Sequence, residues 1–385
     1  MIPIAYNMRS IFVRKAVSMA TMLGLGLVVF VFASTLMLAN GLKSTLQQSA
    51  APDVALVLRK GATSEIQSII KAPDVATILA DPALPPVEQE PRGAGEIVMA
   101  ALLEKNGAGG LSNVSIRGVT EASFQMRPNL HIVDGRKPAG ASEVMVGTAI
   151  RGRFRGFELG QHFELAANRQ VEVVGIFSEA GASTESEVWT DTETVRTTFK
   201  REGLLSTVRV RVPPKQYAAF EASLESNRAL DVEVIREAEY YTNQSEGIGM
   251  FVSVLGVAIA LLLALGAMLF GMTTMYTAVS SRLCEVGVLS ALGFTTASIW
   301  SSFMLESILL SLMGAGAGVA AASMLGLMRF SLVNPASFSE IVFSFKPTPG
   351  IVIGSLVFGA AIGMAGGLLP AVRAGRVSPA DVMRE

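Results

Sequence analysis

The stretch GIGMFVSVLGVAIALLLALGAMLFGMTTMYTAVSS, residues 247–281, contains no charged residue over 35 positions. About 20 apolar residues suffice to cross a bilayer core, so this stretch predicts a membrane-spanning helix. At about 1.5 Å per residue it would reach roughly 52 Å, against a hydrocarbon core of about 30 Å. The excess length allows two interpretations, a tilted helix with a frayed end or a stalk that continues toward a neighbouring domain.

Three further stretches predict spans. Residues 16–42 and 347–372 are uncharged, and residues 286–328 are interrupted only by Glu306. The first stretch could also be a signal peptide, but its apolar part is longer than the roughly 7–15 residues of a signal h-region, which favours a membrane anchor. We therefore place the spans at 16–42, 247–281, 298–328 and 349–371.

The charged residues lie mainly between the first and second spans. The 385-residue chain has a mean hydropathy of +0.47 and is 16% charged, below the roughly 25% of soluble domains. Of its 63 Asp, Glu, Lys and Arg residues, 49 lie within residues 43–246, where the net charge is −5. This predicts one large polar domain, and its acidic balance argues against nucleic acid as a partner. The single cysteine, Cys284, excludes an internal disulfide.

The distribution of basic residues predicts the orientation. Cytoplasmic flanks of spans are enriched in Lys and Arg. Placing the flanking basic residues inside puts both termini, 1–15 and 372–385, in the cytoplasm. Domain 43–246 and the short 329–348 loop are then outside. The residues used for this assignment are Arg9, Arg14, Lys15, Arg282, Arg373, Arg376 and Arg384.

The sequence of the polar domain predicts α/β segments that flank a β-rich insertion at about 110–205. A strand at 53–58 precedes a Ser64-Glu-Ile-Gln67 capping box, which predicts a short helix. A strand, helix and strand follow the insertion at 207–212, 214–226 and 231–235. The insertion itself contains short apolar runs separated by Gly, Pro, Asn and Ser, which is typical of β-structure.

Motifs of enzymes are absent from the sequence. It has no GxxxxGK[ST], HExxH, CxxC or GxSxG pattern. His131 and His162 are isolated, so we interpret both as structural or surface residues, and no metal ligand set is predicted. A membrane-anchored enzyme is therefore disfavoured, and we predict that no residue of this chain is catalytic.

Two features of the spans suggest specific roles. Glu306 is a charge within a membrane span, which makes it a functional candidate, although pairing with Arg282 or a helix end would also explain it.

Small residues recur every fourth position at Gly314 and Gly318, and at Gly359, Gly363 and Gly367. Such faces let helices approach closely, either within the chain or between protomers.

The segment VSSRLCEVGVLSALGF, residues 279–294, resembles the cytoplasmic segment of FtsX-like (MacB-type) ABC-transporter permeases, with the pattern R-x-x-E-[IV]-G-x-L-x-A-L-G. Supporting similarities are FMLES at 303–307, LPAVRAGRVSPAD at 369–381, YNMRS at 6–10 and ESEVWTD at 185–191. The resemblance covers essentially the whole chain. It implies an α+β membrane protein with four transmembrane helices and a large extracytoplasmic domain between helices 1 and 2, made of an α/β "porter" part and a β-rich "sabre" part.

The resemblance also implies a function. The segment 282–297 would be a coupling helix that rests on an ABC ATPase, although an ordinary interfacial helix is the alternative. Its contacts would come from Arg282, Glu285, Val286, Leu289, Leu292, Gly293 and Phe294. Positions 282, 285, 286, 289, 292 and 293 recur at three- and four-residue spacing, which predicts that they share one helical face.

The implied complex is an exporter or lipoprotein-release system of the bacterial inner membrane. It would work by mechanotransmission, in which ATP hydrolysis on a separate subunit moves the external domains. ATP and Mg would bind that partner, and no cofactor would bind this chain. The implied partners are the ATPase, a second permease copy, membrane lipids and, in many members, a periplasmic adaptor and an outer-membrane channel. The alternative within the family is a signalling subunit that activates a periplasmic cell-wall hydrolase.

Overall fold

The computed structural model describes residues 15–84, 91–107 and 110–375. These residues form two compact units. We call residues 42–247 and 329–343 the polar unit and the rest of the described chain the helical unit. Several predicted features lie outside the described residues, namely Arg9, Arg14, Arg376, Arg384 and the family-like segments 6–10 and 376–381.

The secondary structure of the described residues is as follows. The α-helices are α1 (Lys15–Gln47), α2 (Ala72–Leu79), α3 (Glu121–Gln125), α4 (Thr192–Phe199), α5 (Tyr217–Ser226), α6 (Glu237–Ser280), α7 (Leu283–Ala291), α8 (Thr296–Met324) and α9 (Pro349–Gly375). The strands are β1 (Val54–Arg59), β2 (Ile70–Lys71), β3 (Gly93–Glu104), β4 (Leu111–Val119), β5 (His131–Gly135), β6 (Glu143–Gly147), β7 (His162–Ala166), β8 (Arg169–Ser178), β9 (Glu187–Asp191), β10 (Leu204–Leu205), β11 (Thr207–Arg211), β12 (Val232–Arg236), β13 (Phe330–Val333) and β14 (Glu340–Phe343).

Within the described residues, four helices are long and apolar enough to cross a membrane: α1, α6, α8 and α9. Each predicted span overlaps one of them, but the boundaries differ: the span predicted at 298–328 extends beyond α8, which ends at Met324. Helix α6 begins at Glu237, well before the predicted start at 247, because its first turns carry Glu237, Glu239 and Glu246 and hydropathy does not reveal a charged helical segment. Of the two interpretations of the excess length, a helical continuation is the one observed.

Glycines of α8 allow α1 to approach it closely within the chain. A Cβ atom built on Gly314 would lie 2.6 Å from the carbonyl oxygen of Met22, and one built on Gly318 would overlap the carbonyl oxygen of Gly26. Larger residues at either position would force the two backbones apart. The interface continues into buried side chains, with Val29 and Ala33 of α1 in one apolar cluster with residues of α8.

The predicted glycines of α9 face α8 in the same way. The pairs are Gly359 with Ala315, Gly363 with Ser311, and Gly367 with Ser307. At this seam the Ser307 hydroxyl donates a 2.7 Å hydrogen bond to the carbonyl oxygen of Gly363. All five predicted packing glycines thus lie at contacts between helices of one chain.

The polar unit is built on a ten-stranded sheet with the order β12-β1-β11-β3-β4-β9-β6-β8-β5, in which β7 also pairs with β8. Strand β3 joins its two parts, because β11 pairs with it up to Glu96 and β4 pairs with it from Ile97 onward. We call residues 97–203 the insertion and the remainder of residues 42–247 the base. The insertion therefore begins earlier than the predicted 110.

The base differs from the sequence prediction at one place. The capping-box segment forms a 3-10 turn at Glu65–Gln67, without a side-chain cap, and not the start of a helix. The helix begins later, at Ala72, where Pro73 occupies the first turn and needs no donor. Ile70 instead lies in β2, which pairs with β10.

The predicted short loop at 329–348 contains a folded β-hairpin. Strands β13 and β14 pair in antiparallel register from Phe330 opposite Phe343 to Val333 opposite Glu340. Asn334 organises the turn, since its side-chain oxygen accepts a 2.9 Å hydrogen bond from the amide of Ala336. Residues 329–343, which we call the hairpin, belong to the polar unit.

The glycine contacts lead to a prediction. Replacing Gly318 with Leu should destabilise the folded chain by about 1–3 kcal/mol or more, because the side chain would overlap the α1 backbone. The measurement is thermal denaturation of the full chain in mild detergent. Gly316→Leu is the matched control, since a Cβ there has no atom within 4 Å. Equal melting temperatures for the two variants would contradict this packing.

Candidate functional site

Helix α7 connects α6 to α8 and carries the predicted coupling residues. Arg282 precedes it, and Gly293 ends it with a φ of +90°, a conformation that favours glycine. The amide of Phe294 then donates to the carbonyl oxygen of Leu289 at 3.1 Å, in the pattern of a Schellman motif. Thr295 caps α8, so the predicted 282–297 segment is one short helix and a tight turn.

The residues predicted to share one face of this segment differ in exposure in the structure. Glu285 and Leu292 are exposed, Leu292 by 72%, and Leu289 and Phe294 are half-buried. Val286 instead packs inward with Met275, in an apolar cluster that includes residues of α8 and α9.

Arg282, another of the predicted contact residues, also points inward. It is only 8% exposed and pairs with Glu306, so its side chain is directed into the helical unit, and its predicted contact with a partner stays a prediction. Gly293 is exposed at the turn, where it ends α7.

Glu306 accepts two hydrogen bonds from the guanidinium of Arg282, at 3.2 Å and 3.4 Å. Its carboxylate is buried, with 5% of the residue exposed. Of the two interpretations of Glu306, pairing with Arg282 is the one the structure contains. A charge within an apolar bundle is costly unless it is paired, so this ion pair fixes the start of α7 to α8.

This ion pair generates a prediction. Arg282→Ala or Glu306→Ala alone should destabilise the chain by about 3–5 kcal/mol, since either leaves an uncompensated buried charge. The double variant should lose less stability than the sum of the two single variants. Denaturation of all four proteins in detergent measures this coupling, and additive losses would show that the two side chains act independently.

The polar unit contains a second buried cation, Arg117, which is 2% exposed. Its guanidinium donates to Glu65 of the base, to Glu96 of β3 and to Glu187 of the insertion, over distances of 2.7–3.0 Å. Glu96 also binds Arg127 at 2.6 Å and 2.9 Å. Burial alone would raise the pKa of Glu96, but Arg127 and Arg117 together hold it well below its ordinary value.

Glu237, the first residue of α6, is fully buried in the base. It forms an ion pair with Arg209 of β11 and accepts a 2.9 Å hydrogen bond from the amide of Ala51. Nearby, the hydroxyl groups of Ser49 and Ser183 lie 2.7 Å apart. The start of α6 and the segment that follows α1 are therefore held by the same carboxylate.

The hairpin also carries a buried charge, Glu340, which is 2% exposed. Its carboxylate binds Lys105 at 2.7 Å, Arg153 at 3.1 Å and the hydroxyl of Ser112 at 2.8 Å. Burial would raise the pKa of Glu340, but the hydrogen bonds from Lys105, Ser331 and Ser112 lower it to about 2. The carboxylate is therefore ionised at neutral pH.

The sequence analysis did not identify Arg117, Glu96, Glu237 or Glu340. Arg117 and Glu340 each border or interrupt a short apolar strand, which is the signal that could have revealed them. The predicted surface residues His131 and His162 are exposed on β5 and β7. Among the described residues, no group of three or more His, Cys, Asp or Glu side chains could hold a metal ion.

Comparison with known proteins identifies the class. Residues 18–227 match the family model of the MacB-like periplasmic core domain, and residues 257–379 match that of the FtsX-like permease C-terminal part. Together the two matches define a membrane transporter subunit. The chain belongs to the MacB-like and FtsX-like family of ABC transporter permeases.

Similar proteins support this assignment. The uncharacterised ABC transporter permease YvrN of Bacillus subtilis is 26% identical over 99% of this chain and 98% of its own length. A protein of Burkholderia cenocepacia, named macrolide export ATP-binding/permease protein MacB, is 27% identical over 64% of this chain, which corresponds to 35% of that protein. The relatives are thus permeases or contain one.

Two solved structures match part of the chain. The periplasmic region of MacB from Actinobacillus actinomycetemcomitans covers 49% of this chain and 90% of its own, with 13% identity and a TM-score of 0.37. The extracellular domain of YknZ, a noncanonic ABC-type transporter from Gram-positive bacteria, covers 47% and 99%, with 14% identity and a TM-score of 0.35.

Proposed function

We propose that this chain is the permease subunit of an ATP-driven exporter or lipoprotein-release complex. ATP hydrolysis on a separate ABC ATPase would drive movements of the polar unit outside the membrane. ATP and Mg would bind that partner. The proposal includes a bacterial inner-membrane location with both termini in the cytoplasm, which the distribution of Lys and Arg supports.

The observation that carries the proposal is that α7 has an exposed outer surface and a buried inner one. Its outer surface exposes Glu285, Val288 and Leu292, whereas Arg282 and Val286 attach it to the helical unit. An exposed surface on a firmly attached helix suits a partner that pushes on it, because displacement of the surface then displaces the helices. Exposed apolar side chains beside a charged one are also typical of a surface that binds another protein.

The continuity of α6 supports the same proposal. This helix runs without a break from Glu237, which is buried in the base, to Ser280 just before α7. An unbroken helix resists bending, so a movement at Ser280 would reach Glu237 and its partner Arg209. Glu306 is the only charged residue within 286–328, and a hydrophilic conduit would need more.

The complex would contain a second permease copy and membrane lipids in addition to the ATPase. A periplasmic adaptor and an outer-membrane channel are further partners if the complex exports its substrate across both membranes. The test is affinity purification of the full chain from membranes in mild detergent, with co-purifying chains identified by mass. A stoichiometric ATPase would support the proposal, and no ATPase even with trapped nucleotide would overturn it.

The same purification distinguishes the two functions within the family. An adaptor in the complex would favour export. A cell-wall hydrolase would favour a signalling subunit whose polar unit binds an enzyme and transports nothing.

A prediction concerns the outer surface of α7. Glu285→Lys or Leu292→Asp should uncouple ATP hydrolysis from work by the complex, because each reverses the character of an exposed position while leaving the buried contacts of α7 intact. The measurement compares ATPase activity of the reconstituted complex with cellular activity. Cys284→Ser is the control, since Cys284 is also exposed on α7. Full coupling in both variants would contradict the role of this surface.

A further inference from the structure

The hairpin between α8 and α9 is held by the polar unit as firmly as a core element. Ile341, Val342 and Phe343 are each no more than 6% exposed. Val342 belongs to the main apolar core of the polar unit, together with Val114 of β4 and Val146 of β6. A short connection between two spans needs no such burial, so the hairpin serves a purpose beyond joining them.

The polar contacts of the hairpin strands are made with the insertion. Glu340 binds Lys105, Arg153 and Ser112, and the hydroxyl of Ser339 lies 3.0 Å from that of Ser115.

Both ends of the hairpin are also tied to the insertion. The Arg329 guanidinium donates to the carbonyl oxygen of Thr148 at 2.8 Å, and the amide of Val342 donates to Ser186 at 2.9 Å. The turn also contacts the base, where Asn334 donates to Gln244 and the side-chain amide of Gln67 donates to the carbonyl oxygen of Ala336.

The other two connections from the spans are anchored mainly in the base. Glu237 of α6 pairs with Arg209 and binds Ala51, which follows α1. Ser49, which also follows α1, contacts the insertion at Ser183, whose hydroxyl lies 2.7 Å from that of Ser49 and whose amide donates to it at 2.9 Å. The base and the insertion therefore receive different membrane helices as their principal attachments.

We infer that the hairpin is a third transmission arm, which carries movement of α8 and α9 to the insertion, with Glu340 as its positioning residue. This inference rests on the proposed function. It divides the work between two routes, α1 and α6 for the base and the hairpin for the insertion.

A small polar cavity lies where these segments meet. It has a volume of about 40 Å³, and the residues that line it include Ser115, Ser183, Ser186, Ser339 and Tyr240 of α6. A polar space of this size suits one or two water molecules, which can exchange hydrogen bonds as the walls shift. Such a space allows the hairpin and α6 to move by different amounts without opening an apolar core.

The test uses the full chain in complex with its ATPase and compares hydrogen exchange with and without trapped nucleotide. Glu340→Gln keeps the shape of the side chain but removes its charge, so hairpin amides should exchange at least about tenfold faster. The nucleotide-dependent change in the insertion should fall below half of the wild-type change, whereas that in the base should persist. Glu104→Gln is the matched control, because Glu104 pairs with Arg155 at the exposed surface of the insertion.

A covalent replacement for the docking contact separates a local loss of the arm from general misfolding. In the Cys284→Ser background, Ser115→Cys and Ser339→Cys would place two thiols where the hydroxyl groups now lie 3.0 Å apart. Added to Glu340→Gln, the oxidised pair should restore the response of the insertion, and a reductant should abolish it again.

The outcomes distinguish this inference from the proposed function. An insertion that responds fully in Glu340→Gln, or a disulfide that forms and restores nothing, would overturn the transmission arm alone. A wild-type complex without any nucleotide-dependent change would overturn the proposed function and, with it, this inference.

Discussion

The arrangement of the polar unit depends on the buried guanidinium of Arg117. It has five donors in a fixed plane, and carboxylates of the base, of β3 and of the insertion accept from them. Removing such a cation from water is costly, and the cost is offset only when its partners surround it in the right geometry. The cluster therefore stabilises one orientation of insertion and base over others, because any rotation between them would separate Arg117 of the insertion from Glu65 and Glu96 of the base. An apolar contact of the same area would tolerate sliding.

The helical unit uses the same chemistry once more. Arg282 and Glu306 form an ion pair at the start of α7. Elsewhere in the helical unit, small residues allow helices to pack closely, but such packing does not select one rotation of the helices. Glycine contacts between α1 and α8 fix how near the helices lie, and the ion pair fixes which residue of α8 faces the start of α7. Close packing resists separation of the helices and a directed ion pair resists their rotation, so together they hold α7 firmly against α8.

The sequence predicted the elements that depend on local pattern. The four spans, the strands of the insertion and the membership of the family follow from apolar length, from alternation and from the motif around Arg282. Contacts between residues that are far apart in sequence have no such local pattern and were not predicted. The segment Ser64–Gln67 has the letters of a capping box but forms a 3-10 turn, because Glu65 is drawn to Arg117 and its amide donates to the hydroxyl of Tyr240. The hairpin was predicted as a loop because each of its strands has four residues and its partners lie far away in sequence.

The burial of Glu340 shows why a hydropathy reading divides this chain at the wrong place. By hydropathy, residues 329–343 are a loop between two spans. In the folded chain they belong to the polar unit. A carboxylate in that gap would normally remain in water, where it costs nothing. Here it is desolvated and stabilised by Lys105 and Arg153, two side chains that would otherwise repel each other at the edge of the insertion. The carboxylate depends on the two cations more than they depend on it, because Lys105 and Arg153 keep 39% and 30% of their side chains exposed. Partial detachment of the hairpin would leave Glu340 buried without its cations, which is costly, so the hairpin should move with the insertion as one body.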